Sequence, residues 1–290
     1  MNAPVVVGFD GSATARSATL YAAREAQRRG TALQIIHALG WPVILPPFHA
    51  AYDLHDQGPR AAMLDLLAKA AHEVQQEHPT LQVTTQLLDG PAGATLLDAS
   101  RNAQLLVAGH RGSGGFAGLL TGSVATQLAG HAHCPTVIVR GDDLSDDGPV
   151  VLGTDGSSGA RLAAEAAFAQ ARLRNAELVL AYQSARTSSA GAIVTSNLPF
   201  WATVGDAAAG AHGVSARYPS VDYRTEVVSA DSAAAGLIAV SRRISAGLLV
   251  VGSRGLGGFG GLILGSTSRS LIDHAPCPVM VVGPHRSRGR

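Results

Sequence analysis

The sequence predicts an α/β protein built as two tandem copies of one domain, each an open sheet of five parallel strands with helices on both faces. Three observations carry this. Val6-Val-Gly-Phe-Asp10-Gly-Ser12 returns as Val151-Leu-Gly-Thr-Asp155-Gly-Ser157, and His131-Ala-His-Cys134-Pro135 returns as His274-Ala-Pro-Cys277-Pro278. The offset is 145 residues near the front and 143 near the back, so one domain of about 140 residues occurs twice. In each copy, short apolar runs alternate with longer segments of helical period, the pattern of a parallel sheet with crossover helices. A glycine-rich stretch of one spacing, G-x2-G-x9-G-S, follows the fourth apolar run of both copies.

Taken in order, Val5 to Phe9 reads as a strand and Asp10-Gly11-Ser12 as a turn. Ala13 to Arg29 reads as a helix with Ala18, Tyr21, Ala22 and Ala26 on one side, stopped by Gly30. Leu33 to His37 is the second strand. The Pro-rich stretch from Gly40 to Gly58 is a loop, and Arg60 to His78 a helix ended near Pro79. Leu81 to Leu88, Leu105 to Ala108 and Thr136 to Arg140 complete the strands, with a helix at Ala92 to Ser100 and another running to Ala132. The second copy repeats the order, with strands at Val150–Thr154, Leu178–Tyr182, Val221–Val228, Leu248–Val251 and Val279–Val282. Its helices are expected at Gly159–Leu173, Ala202–Arg217, Ala233–Arg243 and Thr267–His274, the second of them weakened by three glycines. Expected boundaries are residues 1–141, an acidic linker at 142–148, and residues 149–290.

Composition narrows the function classes. Of 290 residues 46% are hydrophobic and 15% charged, which suits a globular chain with a large core. Net charge is +1 without a dense basic stripe, so no nucleic-acid partner is expected. No apolar run reaches the ~18 residues of a membrane span. The first strand starts at Val5, so no leader peptide is expected before it. The two cysteines, Cys134 and Cys277, hold equivalent places and read as buried apolar groups, pointing to a reducing cytoplasm.

The glycine stretches, Gly109 to Ser123 and Gly252 to Ser266, leave a strand and end at a helix start. Backbone N–H groups there lack partners, and a phosphate fits them. Ser266 could cap the helix or bond a phosphate oxygen. A sheet whose order switches beside its first strand would bring Asp10 or Asp155 opposite the glycine loop across one crevice. Asp10 reads either as a helix cap or as a ligand-facing carboxylate acting through a divalent metal.

These residues resemble the universal stress protein superfamily in its tandem, ATP-binding form, over nearly the whole chain. The resemblance rests on the D-G-S turn, the G-x2-G-x9-G-S loop and the C-P pair before the last strand. It implies a Rossmann-like sheet of the adenine nucleotide alpha hydrolase type and an ATP site in each copy, with Mg²⁺ left open. By position it sets Asp10 and Asp155 beside the adenosine. Ala38 and Gln183, just past the second strand, would offer backbone groups to the adenine edge. Gly109, Gly112, Gly252 and Gly255 would close the loop around ribose and phosphates. Gly122, Ser123 and Val124, with Gly265, Ser266 and Thr267, would hold the phosphates. The family is often acidic just before the fourth strand, where this chain has Asn102-Ala-Gln104 and Ser245-Ala-Gly247.

Rival readings are weaker. Gly255-x-Gly257-x-x-Gly260 fits the dinucleotide fingerprint, but its helix starts about ten residues after the strand rather than at a tight turn. Gly260-x4-Gly265-Ser-Thr resembles a P-loop with Ser266 in place of the lysine. Arg111 and Arg254 could offset that loss or be solvated loop arginines. His131-x2-Cys134 and His274-x2-Cys277 admit a shared zinc site, with helix-end histidines and core cysteines the simpler reading. Three classes of function follow: a nucleotide-dependent regulator in stress or growth arrest, a slow ATPase or self-phosphorylating enzyme with Ser123 or Ser266 as acceptor, and a scaffold with relic loops. The last strands are expected to pair the copies into a pseudo-dimer, and two chains to form a homodimer. The protein partner is not legible, and Trp41, Phe48, Phe200 and Trp201 are the candidates for its surface.

Overall fold

The computed structural model describes residues 2–40, 58–113, 121–140, 147–183, 213–228, 230–255 and 264–284. The first half runs β1 (Val5–Gly8), α1 (Ala13–Arg28), β2 (Leu33–Leu39), α2 (Gly58–Glu77), β3 (Val83–Asp89), α3 (Ala92–Ala99), β4 (Leu105–Gly109), α4 (Ser123–His131) and β5 (Thr136–Val139). The second runs β6 (Val150–Gly153), α5 (Ser158–Arg174), β7 (Leu178–Gln183), β8 (Tyr223–Val228), α6 (Ala233–Arg243), β9 (Leu248–Gly252), α7 (Ser266–His274) and β10 (Val279–Val282). Of the expected helix Ala202–Arg217, residues 202–212 lie outside the described residues, as do the four loop aromatics, residues 141–146 of the linker and the tail from residue 285.

All ten strands form one sheet in the order β3-β2-β1-β4-β5-β10-β9-β6-β7-β8. Each half is parallel, and its order switches between β1 and β4, or β6 and β9. The halves join where β5 runs antiparallel to β10, with Val137 opposite Met280. This is the pairing of last strands that the sequence suggested. It covers two edges that are apolar on both faces and would otherwise offer open ladders.

One apolar layer packs α1, α2 and α5 against one face of the sheet, and the other packs α3, α4, α6 and α7 against the opposite face. The central strands β4 and β9 are buried on both sides, which is why they read as unbroken apolar runs. Helix α1 starts because Gly11, at φ +82°, turns the chain after β1, a backbone state that side chains with a Cβ avoid. Ser12 is the cap, accepting from Ala15 N at 3.2 Å. Asp10 is therefore not the cap, since the positive-φ glycine leaves it two residues too early. Ser157 and Gly156 repeat the arrangement. Ser12→Ala should cost about 1 kcal/mol of stability in chemical denaturation, because the Ala15 amide loses its acceptor; a loss under ~0.3 kcal/mol would deny the cap its role.

A charged cluster lies buried between the halves. Glu25 of α1 has no exposed surface; Arg174 of α5 donates to it at 2.7 Å, Gln170 at 2.9 Å, and Arg28 and Arg29 at 3.3 Å. Arg174 also donates to Tyr21 Oη at 2.6 Å. Burial opposes the charge on Glu25, but Arg174 and Arg29, with Gln170 and Arg28, outweigh it and hold the carboxyl below its ordinary range.

Candidate functional site

Four segments meet at the C-terminal ends of β1 and β4, the place where the strand order reverses. The first is the turn after β1. Asp10 Oδ1 accepts from Ser12 N at 3.0 Å and Ser12 Oγ at 2.6 Å, and its Oδ2 accepts from Ser113 N at 2.6 Å. Burial alone would raise this carboxyl, yet the Ser12 and Ser113 donors outweigh burial and hold it below the aspartate range. Asp10 is thus ionised at neutral pH and straps the start of the glycine loop to the β1 turn. Thr14 Oγ1 adds a second strap by donating to the Arg111 carbonyl. Neither Thr14 nor Ser113 stood out in the sequence, because their partners lie about a hundred residues away in the chain.

The glycines answer to that strap. A Cβ on Gly112 would stand 2.5 Å from Asp10 Oδ2, and one on Gly255 would collide with Asp155 Oδ2. A Cβ on Gly109 would stand 2.9 Å from the backbone of Thr14, and one on Gly252 3.1 Å from that of Gly159. Asp155 accepts from Ser157 N at 3.0 Å, so the turn has one form in both halves.

The loop closes on itself before the helix. Gly122 N donates to His110 O at 2.8 Å, and Gly265 N to Ser253 O at 2.8 Å. Gly122 and Gly265 are the N-caps of α4 and α7, and neither helix has a side-chain cap bond. This corrects the capping role suggested for Ser266: it and Ser123 are the first helical residues, one position too late to cap. Among the described residues the first-turn amides of both helices have no side-chain cap, which is the arrangement that takes an anion.

In the first half these segments enclose a cavity of about 360 Å³. Its floor is apolar, from Gly8, Ile36, Leu96, Ala108 and Ala125. Asp10, Gly109, Gly112, Gly122, Ser123 and Val124 line it, and so does Ala38. Ala38 and Gln183 lie within β2 and β7 rather than beyond them, because the ladders to β3 and β8 continue through Leu39 and Gln183. Leu96 was missed by the sequence reading, though its counterpart Leu237 repeats in the second copy. Thr121 Oγ1, also on the lining, is buried without a hydrogen-bond partner among the described residues. In the second half Asp155, Gly252, Gly255, Gly265, Ser266 and Thr267 take the corresponding places at the ends of β6 and β9.

The two cysteines lie elsewhere, in the apolar layer beneath α4 and α7, where burial pushes each thiol up to about 12. No helix among the described residues is long and apolar enough to cross a membrane.

The model of the universal stress protein family matches residues 1–140 and again residues 148–283. The chain belongs to that family. Among similar universal stress proteins, Rv2623 of Mycobacterium tuberculosis is 34% identical over 301 residues, covering 96% of this chain and 95% of the relative. Rv1996 of the same organism is 34% identical over 307 residues, covering 97% and 95%. Both relatives match from end to end, so the tandem arrangement is shared. The crystal structure of a universal stress protein from Archaeoglobus fulgidus superposes with a TM-score of 0.76 at 20% identity, covering 98% of this chain and 99% of that one, which shows the two-fold repeat of one α/β fold.

Proposed function

We propose that this universal stress protein holds one adenine nucleotide, ATP, in each half and acts as a regulator whose surface depends on nucleotide occupancy. The observation that carries the reading is the wall of the first cavity. It passes from an apolar floor suited to a flat base, through a carboxylate beside the expected ribose, to a closed glycine loop and an uncapped helix start suited to phosphates. The Thr121 hydroxyl, without a hydrogen-bond partner among the described residues, gives the lip a polar group that a ligand could satisfy. In this reading Ser123, Val124, Ser266 and Thr267 supply phosphate contacts, Arg111 and Arg254 supply charge, and Mg²⁺ accompanies the triphosphate. Asp10 is the one carboxylate among the described lining residues. The regulatory role, in stress or growth arrest, follows the family and not the geometry. A homodimer of these chains belongs to the same proposal.

The test is calorimetric titration of the full chain, freed of carried-over nucleotide, with Mg-ATP. Uptake of two equivalents per chain is expected, with a rise in melting temperature at saturation. No heat and no thermal shift at millimolar ATP would overturn the reading and leave a duplicated interaction scaffold. Conversion of the ligand to ADP over repeated turnovers would move the assignment to the hydrolase class.

A further inference from the structure

The two halves share the glycine frame of the phosphate side, though Thr121 and Val124 become Leu264 and Thr267, and they differ in the floor. Strand register fixes the correspondence. Gly8 pairs with Ile36 where Gly153 pairs with Ala181, and Val7 pairs with Val107 where Leu152 pairs with Val250, so the next residues, Ala108 and Val251, correspond. Asp10, Arg111, Gly112 and Gly122 are matched by identical residues at Asp155, Arg254, Gly255 and Gly265.

On the floor the bulk changes sides. The first half carries Ile36 on the outer strand β2 and only a methyl, Ala108, on β4 beneath the glycine loop. The second half carries a methyl, Ala181, on β7 and an isopropyl group, Val251, on β9 beneath its loop. Val251 leans over the middle of the floor: a Cβ on Gly153 would stand 3.0 Å from Val251 Cγ1, whereas the three nearest atoms to one on Gly8 all belong to Leu96. A flat ring in the first half can lie over Gly8 and Ala108, directly below the loop that takes the phosphates. In the second half Val251 stands at that place, and the small residues at the floor positions are Gly153 and Ala181, one strand further from the loop. A ligand whose phosphates are fixed by the shared glycine frame then cannot seat its base as well.

We propose that the two nucleotide sites are unequal, the first tight and the second weak for ATP, and that Ala108 and Val251 set the difference. This rests on the nucleotide reading above. The test is calorimetry with Mg-ATP on the nucleotide-free full chain. Two classes of site are expected, at least about tenfold apart in Kd, the scale at which one or two carbon atoms change affinity in an apolar pocket. Val251→Ala should tighten the weak class alone, and Ala108→Val should weaken the tight class alone by about tenfold. The untouched class in each variant reports that the chain is folded. Two identical sites in the unaltered chain would overturn the proposal, and so would a weak class unmoved by Val251→Ala. Loss of all binding, in the unaltered chain as well, would instead overturn the nucleotide reading.

Discussion

Glu25→Gln is expected to lower the stability of the chain by about 3–5 kcal/mol, the usual cost of removing one member of a buried ion pair. The substitution is nearly isosteric, so packing is preserved and the effect is electrostatic. It would leave Arg174, with a side chain only 2% exposed, without the carboxylate it reaches at 2.7 Å, and Arg28 and Arg29 without theirs at 3.3 Å. The cluster joins α1 of one half to α5 of the other, so its loss loosens the seam and not one domain alone. Thermal and urea unfolding measure the loss; a change under ~1 kcal/mol would mean that desolvation already cancels the pair. The pH dependence has a definite sign. The folded-state carboxyl lies below its ordinary range, so its stabilisation is fully present above the unfolded value, about pH 4.3, and disappears as pH falls through the lower folded value. The gap between the unaltered chain and Glu25→Gln should therefore close in acid.

Gly112→Val is expected to remove one of the two ATP equivalents, weakening the first site at least about a hundredfold, or ~2.7 kcal/mol. The new Cβ would stand 2.5 Å from Asp10 Oδ2, so either the carboxylate or the loop must move, and either motion breaks the 2.6 Å bond from Ser113 N. The loop that frames the helix start is then no longer held. Gly112 is exposed and outside both apolar layers, so folding should survive, which circular dichroism checks. Gly255→Val should act alike on the second half through Asp155. Titration of either variant should show one remaining equivalent, and two undiminished equivalents would deny the loop its place in binding.

Much of this architecture was legible in the sequence because the relevant signals are local or repeated. The D-G-S turn, the apolar runs and the glycine spacing each specify a short piece of backbone, and their recurrence located the copies. The seam was legible only in part. Apolar last strands announce an edge to be covered, but Glu25 reads as a solvated helix residue, since nothing local says that Arg174, 149 positions on, will meet it. The capping alternative for Asp10 and for Ser266 missed by one or two positions, because capping depends on φ at Gly11 and on where the helix begins, not on residue type alone. The shape of the floor was hidden too. Ala108 and Val251 both read as buried strand, and only register shows that they stand at one place in the two halves.

The antiparallel seam turns the second half over relative to the first. Within each half the opening lies at the C-terminal ends of parallel strands, so across β5 and β10 the two openings point to opposite ends of the molecule. The chain is bipolar. A partner that senses both ligands must either span the molecule from pole to pole or read the middle. Any free-energy coupling between the poles has the seam as its direct physical route, through the β5–β10 ladder and the buried Glu25 carboxylate shared by α1 and α5. A chain that gained two sites by duplication would thereby also have gained a place where their states can be compared.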